Sequence, residues 1–122
     1  MKVVVASEDP RVRAWLGLSL GPAWTVVDAS NGVQARRVVA DEHPDLVICD
    51  ETMETYGAFG LARDLTATKD RPKILILLER AQDDWLAKWS GADRWLVRPV
   101  DPFAVATAAR ELMSMKPKEA HA

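Results

Sequence analysis

Apolar residues in this chain fall into short unbroken runs, separated by longer stretches in which they recur every three or four positions. The runs are Val3-Val4-Val5-Ala6 after Lys2, Trp24-Thr25-Val26-Val27, Leu46-Val47-Ile48-Cys49, Ile74-Leu75-Ile76-Leu77-Leu78 and Trp95-Leu96-Val97. Runs of this length, rich in β-branched residues, read as strands, and the first, continuously apolar after Lys2, as one covered on both faces, the situation inside a parallel sheet. The run 74–78 is the most apolar and is expected at the centre.

The intervening stretches read as helices. Asp9 as cap and Pro10 at the first helical position predict a helix from Pro10 to Leu20, with Trp15, Leu16, Leu18 and Leu20 on its apolar side and Gly21-Pro22 as its stop. Ser30 or Asn31 caps a second helix, whose apolar positions are Val33, Ala35, Val38, Val39 and Ala40 and which reaches about Glu42. After a loop at Thr55-Tyr56-Gly57, residues Phe59, Leu61, Ala62 and Leu65 mark a third. A fourth runs from Ala81 to Ser90 with Gly91 as its C-cap, and a last from Pro102 to Met115. Five strands alternating with five helices predict an α/β fold, a three-layer αβα sandwich on a five-stranded parallel sheet with right-handed crossovers. Residues 1–115 form one domain in this reading, and the polar stretch Lys116 to Ala122 a frayed tail.

Composition narrows the function. A chain of 122 residues that is 48% apolar holds one substantial core. Its net charge of −2, with both signs interleaved, supplies no field for a polyanion, so direct nucleic-acid binding is not expected. Arg11, Arg13 and the pair Arg36-Arg37 read as solvated helix faces, and His43 and His121 as surface residues without companions. The single cysteine, Cys49, lies inside an apolar run and reads as a buried small hydrophobe in a reducing, cytoplasmic setting. No leader opens the chain and no apolar run approaches the ~20 residues of a membrane span, so no membrane association is expected.

In a parallel α/β sheet, functional groups collect at the carboxyl ends of the strands, beside the point where strand order reverses. Three acids fall there: Glu8 and Asp9 after the first strand and Asp50 after the third. Close carboxylates repel one another and are best neutralised by a hard divalent cation, which makes Mg²⁺ the expected cofactor. A carboxylate in such a pocket can act as nucleophile toward a phosphoryl group.

The set Glu8-Asp9, Pro44-Asp45-Leu46-Val47-Ile48-Cys49-Asp50, Met53, Gly91-Ala92-Asp93 and Arg98-Pro99 resembles the receiver domain of bacterial two-component response regulators, over nearly the whole chain. The resemblance implies a flavodoxin-like fold with strand order 2-1-3-4-5. It implies that Asp50 is the phosphoacceptor, taking a phosphoryl group from a histidine kinase or phosphotransfer protein, with Mg²⁺ held by Glu8, Asp9, Asp50 and the backbone carbonyl of Thr52. The chain also departs from the family pattern. Leu77, with Leu78 as the one-residue alternative, stands where the family has a threonine or serine that hydrogen-bonds the phosphoryl group. Arg98 replaces a lysine and would counter the phosphate charge with a longer, planar fork. Trp95 fills the aromatic switch position usually held by tyrosine or phenylalanine. Met53 is followed by Glu54 rather than proline, and Gly57-Ala58 stands in place of Asp-Gly.

Two readings follow. The first is an atypical single-domain receiver in a phosphorelay, a signalling module and not an enzyme. The second is a degenerate receiver that binds a downstream output protein, or a second copy as a homodimer, through the face of helix four, strand five and helix five. Trp85, Leu86 and Trp89 read as a stripe packed on the sheet; the sharper alternative places Trp89 or Trp95 in an aromatic surface on that face. A hydrolytic phosphotransferase is disfavoured because Asp50-Glu51-Thr52 lacks a second aspartate two residues on, and because the chain is too short for a substrate-capping domain.

Overall fold

A computed structural model describes residues 1–115. The tail expected from Lys116 to Ala122 lies outside the described residues. Strands β1 (Lys2–Ala6), β2 (Thr25–Ala29), β3 (Leu46–Asp50), β4 (Lys73–Leu78) and β5 (Arg94–Val97) alternate with helices α1 (Pro10–Leu20), α2 (Gly32–Glu42), α3 (Ala58–Thr66), α4 (Asp84–Ser90) and α5 (Pro102–Ser114). All strand pairings are parallel, in the expected order β2-β1-β3-β4-β5.

Period-two alternation divides the sheet's side chains between two apolar layers. Val4, Ala6, Val47, Cys49, Ile74, Ile76 and Leu78 pack with Ala35 and Val39 of α2, Leu61 and Leu65 of α3 and Ala87 of α4. Val3, Val5, Leu46, Ile48, Leu75 and Leu77 pack with Leu16 and Leu20 of α1 and with Val105, Ala108 and Leu112 of α5. Strand β3 is buried along its whole length and β4 along all but Lys73, which is why both read as unbroken apolar runs.

Helix starts follow local chemistry. The Asp9 side chain accepts from Arg11 N, with Pro10 inside the first turn of α1; Asn31, not Ser30, caps α2 by accepting from Gln34 N; Asp101 caps α5. Gly91 closes α4 in the left-handed region at φ 84°, as its sequence position predicts.

Several expectations need correction. Leu18 lies on the solvent face of α1, 84% exposed, because it sits two residues, or about 200° of helical turn, from both Leu16 and Leu20. Val33, two residues from Ala35, is exposed on α2 for the same reason, and Ala40 is exposed about 100° of helical turn beyond Val39, with Ala35 and Val39 facing inward. The second strand runs Thr25–Ala29, one residue later at its start and two at its end, since Asp28 and Ala29 pair with Val5 and Ala6. Helix four is shorter than predicted: residues Ala81–Asp83 form a 3₁₀ turn, and α4 proper begins at Asp84. Trp85 and Trp89 do not pack on the sheet. They are 64% and 53% exposed, because Ala87 and Ser90 take the inward face of this short helix.

The segment between β3 and α3 is moulded against α2. Tyr56 adopts φ 57°, and a Cβ at Gly32 would overlap the Tyr56 carbonyl oxygen, so only glycine permits this approach. Gly32→Ala is expected to lower stability by about 1–3 kcal/mol, the range for an overpacked contact. Thermal unfolding followed by circular dichroism checks this; an unchanged midpoint would mean that the loop moves aside freely.

Candidate functional site

The pairing register decides which side chains meet at the carboxyl edge of the sheet. Ala6 pairs with Cys49, so the next residues in line are Ser7 and Asp50, and Asp50 pairs with Leu77 on its other side. Asp50 ends β3 and is 2% exposed. Its Oδ2 accepts from the Ser7 hydroxyl at 2.9 Å. Its Oδ1 accepts from Thr52 N at 3.2 Å and pairs with Arg98 Nη2 at 2.8 Å.

Each of these partners is itself held. Ser7 is fully buried; its N–H donates to Ala29 O, its carbonyl accepts from Arg13 Nη1 at 2.6 Å, and its Oγ accepts from Asp9 N at 3.1 Å. Arg98 follows β5, with its N–H donating to Leu78 O and a cis peptide to Pro99. Its Nε is buried without a hydrogen-bond partner, 3.8 Å from Glu79 Oε2.

The other expected metal residues do not join Asp50. Glu8 turns to the loop, where its Oε2 accepts from Glu54 N at 3.0 Å and Thr55 N at 3.3 Å. Asp9 caps α1 and forms an ion pair with Arg11, whose hydrogen bonds hold its carboxyl below the usual range. Thr52 contributes its N–H, not an acceptor, to Asp50. Among the described residues no group of three or more His, Cys, Asp or Glu is arranged to hold a metal ion. Of the expected Mg²⁺ set only Asp50 lies in the pocket in this structure, the carboxyls of Glu8 and Asp9 being engaged by the loop and by Arg11. The donor set at Asp50 is a hydroxyl, an amide N–H and a guanidinium, which suits an anion and not a hard cation.

The altered switch positions are also placed. Leu77, not Leu78, stands opposite Asp50; it is buried in the α1–α5 layer, and its carbonyl accepts from Glu51 N at 3.0 Å. Trp95 is half-buried against the opposite layer. Leu77 and Arg98 also border a cleft of about 740 Å³ that opens between α1 and the Pro99–Val100 segment, with Val12 and Trp15 on its far wall. Cys49, adjoining Asp50 in sequence, is buried as expected, and burial, with the Asp50 charge, pushes its thiol up to about 12.

Two contributors were missed by sequence reasoning. Ser7 was legible: counting equal depths along the first and third runs puts it level with Asp50. The second is an acid pair. Glu51 Oε1 accepts from Glu79 N at 2.7 Å, and the Glu51 carboxyl meets that of Asp83, itself nearly buried and ion-paired to Arg80. Burial, then sharing with Asp83, pushes Glu51 up to about 7, whereas the hydrogen bonds from Glu51 and Arg80 hold Asp83 low. Nothing in the spacing of residues 51 and 83 signals this contact.

Trp85 and Trp89 of α4, Val97 at the end of β5 and Phe103 at the start of α5 are each exposed. The Arg63 guanidinium lies 4.8 Å over the Trp89 ring and donates to Trp89 O at 3.1 Å.

No protein-family model matches the chain. An uncharacterised response regulatory protein of Mycobacterium tuberculosis, found in strains CDC 1551 and H37Rv, is 30% identical over 132 aligned positions that cover 99% of this chain and 95% of that protein. The response regulator MprA of Mycobacterium ulcerans is 30% identical over 102 positions, covering 81% of this chain and 44% of MprA. Among solved structures, a signal receiver domain from Bermanella marisrubri superposes with a TM-score of 0.85 at 25% identity, covering 93% of this chain and 98% of that one. The chemotaxis response regulator CheY4 of Vibrio cholerae superposes at 0.83 and 22% identity, covering 91% and 97%.

The acid pair predicts a pH dependence. Glu51 binds its proton more tightly in the folded state, with its ordinary value at 4.5 and the folded value at about 7, so its contribution to stability is fully present below about 4.5 and is lost as pH rises through 7. Asp83 has the opposite sign: its contribution is present above its ordinary value and is lost on acidification. Urea unfolding at steps from pH 4.5 to 8 is expected to show the wild-type protein losing stability relative to Glu51→Gln across that window. Parallel curves for the two proteins would remove Glu51 as the group responsible.

Proposed function

The chain belongs to the response-regulator family as a receiver domain, and we propose that it is an atypical receiver whose Asp50 pocket is held in one internally balanced state and whose signal passes through protein contacts. The observation that carries this reading is the enclosure of Asp50: a carboxylate 2% exposed, with Oδ2 accepting from Ser7 and Oδ1 held by Thr52 N and Arg98. A phosphoryl donor must reach one of these oxygens, and each is already committed. Leu77 supplies no hydroxyl through which an added charge would pull the neighbouring loop inward.

The face of α4, β5 and α5 supplies the contacts. Exposed Trp85, Trp89, Val97 and Phe103 are the large apolar side chains these elements offer to a partner, aromatic residues being enriched at interface centres. A downstream output protein or a second copy of the chain is the partner in this reading. The setting is cytoplasmic; among the described residues no helix is long and apolar enough to cross a membrane.

A second reading keeps Asp50 as phosphoacceptor for a histidine kinase or phosphotransfer protein. It is favoured by Arg98, whose guanidinium already lies 2.8 Å from Asp50 and would counter the −1.5 to −2 charge, roughly, that a phosphoryl group adds.

Intact-mass measurement after incubation with acetyl phosphate and Mg²⁺ separates the two. The first reading expects no phosphoryl adduct on the wild type; an adduct that disappears in Asp50→Asn would establish the second. For the aromatic face, sedimentation velocity at rising concentration is expected to show a dimer that is lost in a Trp85→Ser, Trp89→Ser variant, with stability lowered by about 1 kcal/mol as the Arg63 contact is given up. A wild type that stays monomeric would rule out a second copy of the chain as the occupant of this face.

A further inference from the structure

We propose that Ser7 and Arg98 together take the place of a divalent cation in the Asp50 pocket, a hydroxyl at position 7 leaving the ion one carboxylate short of a site. The register sets residue 7 level with Asp50, and the Ser7 Oγ lies 2.9 Å from Asp50 Oδ2. A hydroxyl there donates a hydrogen bond to the carboxylate. An aspartate at the same place would put a second negative charge against it, and two close carboxylates call for a cation between them.

Charge balance points the same way. Asp50 and Arg98 sum to zero across their 2.8 Å contact. Adding Mg²⁺ beside one carboxylate that is already paired with a guanidinium would leave a large net positive charge where Asp50 is almost out of contact with water. The remaining acids have other work. Glu8 holds the loop through Glu54 N and Thr55 N, and Asp9 holds the start of α1 and Arg11. Seating an ion would require breaking the Arg98 pair and also releasing Glu8 from the loop.

This inference deepens the proposed function by rest on the same Asp50 geometry, and its test is separable: cation occupancy is read without any phosphodonor, whereas the failure of that function would appear as a mass adduct. The experiment is a MgCl₂ titration of the full chain followed by amide ¹H–¹⁵N shifts, with MnCl₂ line broadening as a second readout. The wild type is expected to show no saturable change at Ser7, Asp50 or Thr52 up to about 10 mM, beyond the weak end of ordinary carboxylate sites. Ser7→Asp is expected to gain a saturable site at least about tenfold tighter than that limit. Ser7→Ala, which removes the hydroxyl without adding an acid, gains none. Saturable shifts at Asp50 and Thr52 in the wild type would overturn the proposal, as would a folded Ser7→Asp with no gain. If Ser7→Asp does not fold, the wild-type and Ser7→Ala titrations decide: saturation in either one overturns the proposal, and its absence from both upholds it.

Discussion

An ionised carboxylate with almost no contact with water must be given partners, and the burial of Asp50 at the end of β3 is the constraint on which this end of the molecule depends. Three separated segments converge to supply them: Ser7 where β1 ends, the turn at Thr52, and Arg98 where β5 ends. Desolvating a charge costs several kcal/mol even after relaxation, roughly, and an ion pair offsets this only with good geometry and with its other hydrogen-bonding positions filled. Asp50 meets the first and fills three of its roughly four acceptor positions. Arg98 meets the first, but its buried Nε has no hydrogen-bond partner.

The surroundings of the pocket are tied together by polar links that bypass Leu77's side chain. Glu51 N donates to Leu77 O, and the Glu51 side chain accepts from Glu79 N, so the segments after β3 and β4 hold each other through backbone groups and an acid pair. On the opposite side, Glu8 fastens the loop at Glu54 and Thr55, and Tyr56 lies directly against Gly32. Tyr56 OH in turn donates to Asp64, which also pairs with Arg36. The loop beyond Asp50 is thus continuous with α2 and α3 through contacts that the sequence pattern does not advertise.

The fold was legible because its signals are local and redundant: an apolar run for each strand, Asp9-Pro10, Asn31 and Asp101 for helix starts, Gly91 for a stop. Strand order came from the resemblance and was matched by the pairing. What escaped was tertiary. The acids after β1 were read as a pair at Glu8 and Asp9, while the pairing register sets Ser7 beside Asp50; one residue of offset exchanges a charge for a hydroxyl. Trp85 and Trp89 share a helical face, as their spacing requires, but periodicity does not say whether a tryptophan stripe or the small residues Ala87 and Ser90 face the sheet. The contact of Glu51 with Asp83 joins two loops and leaves no pattern in either.

The pair between Arg98 and Asp50 has a consequence that concerns supply more than structure. A soluble counter-ion occupies its site in proportion to its concentration and leaves an empty site behind when it dissociates. A counter-charge carried on a side chain is always present at a fixed, high effective concentration set by the fold. The counter-charge that faces Asp50 is therefore carried by the chain itself and arrives with the fold.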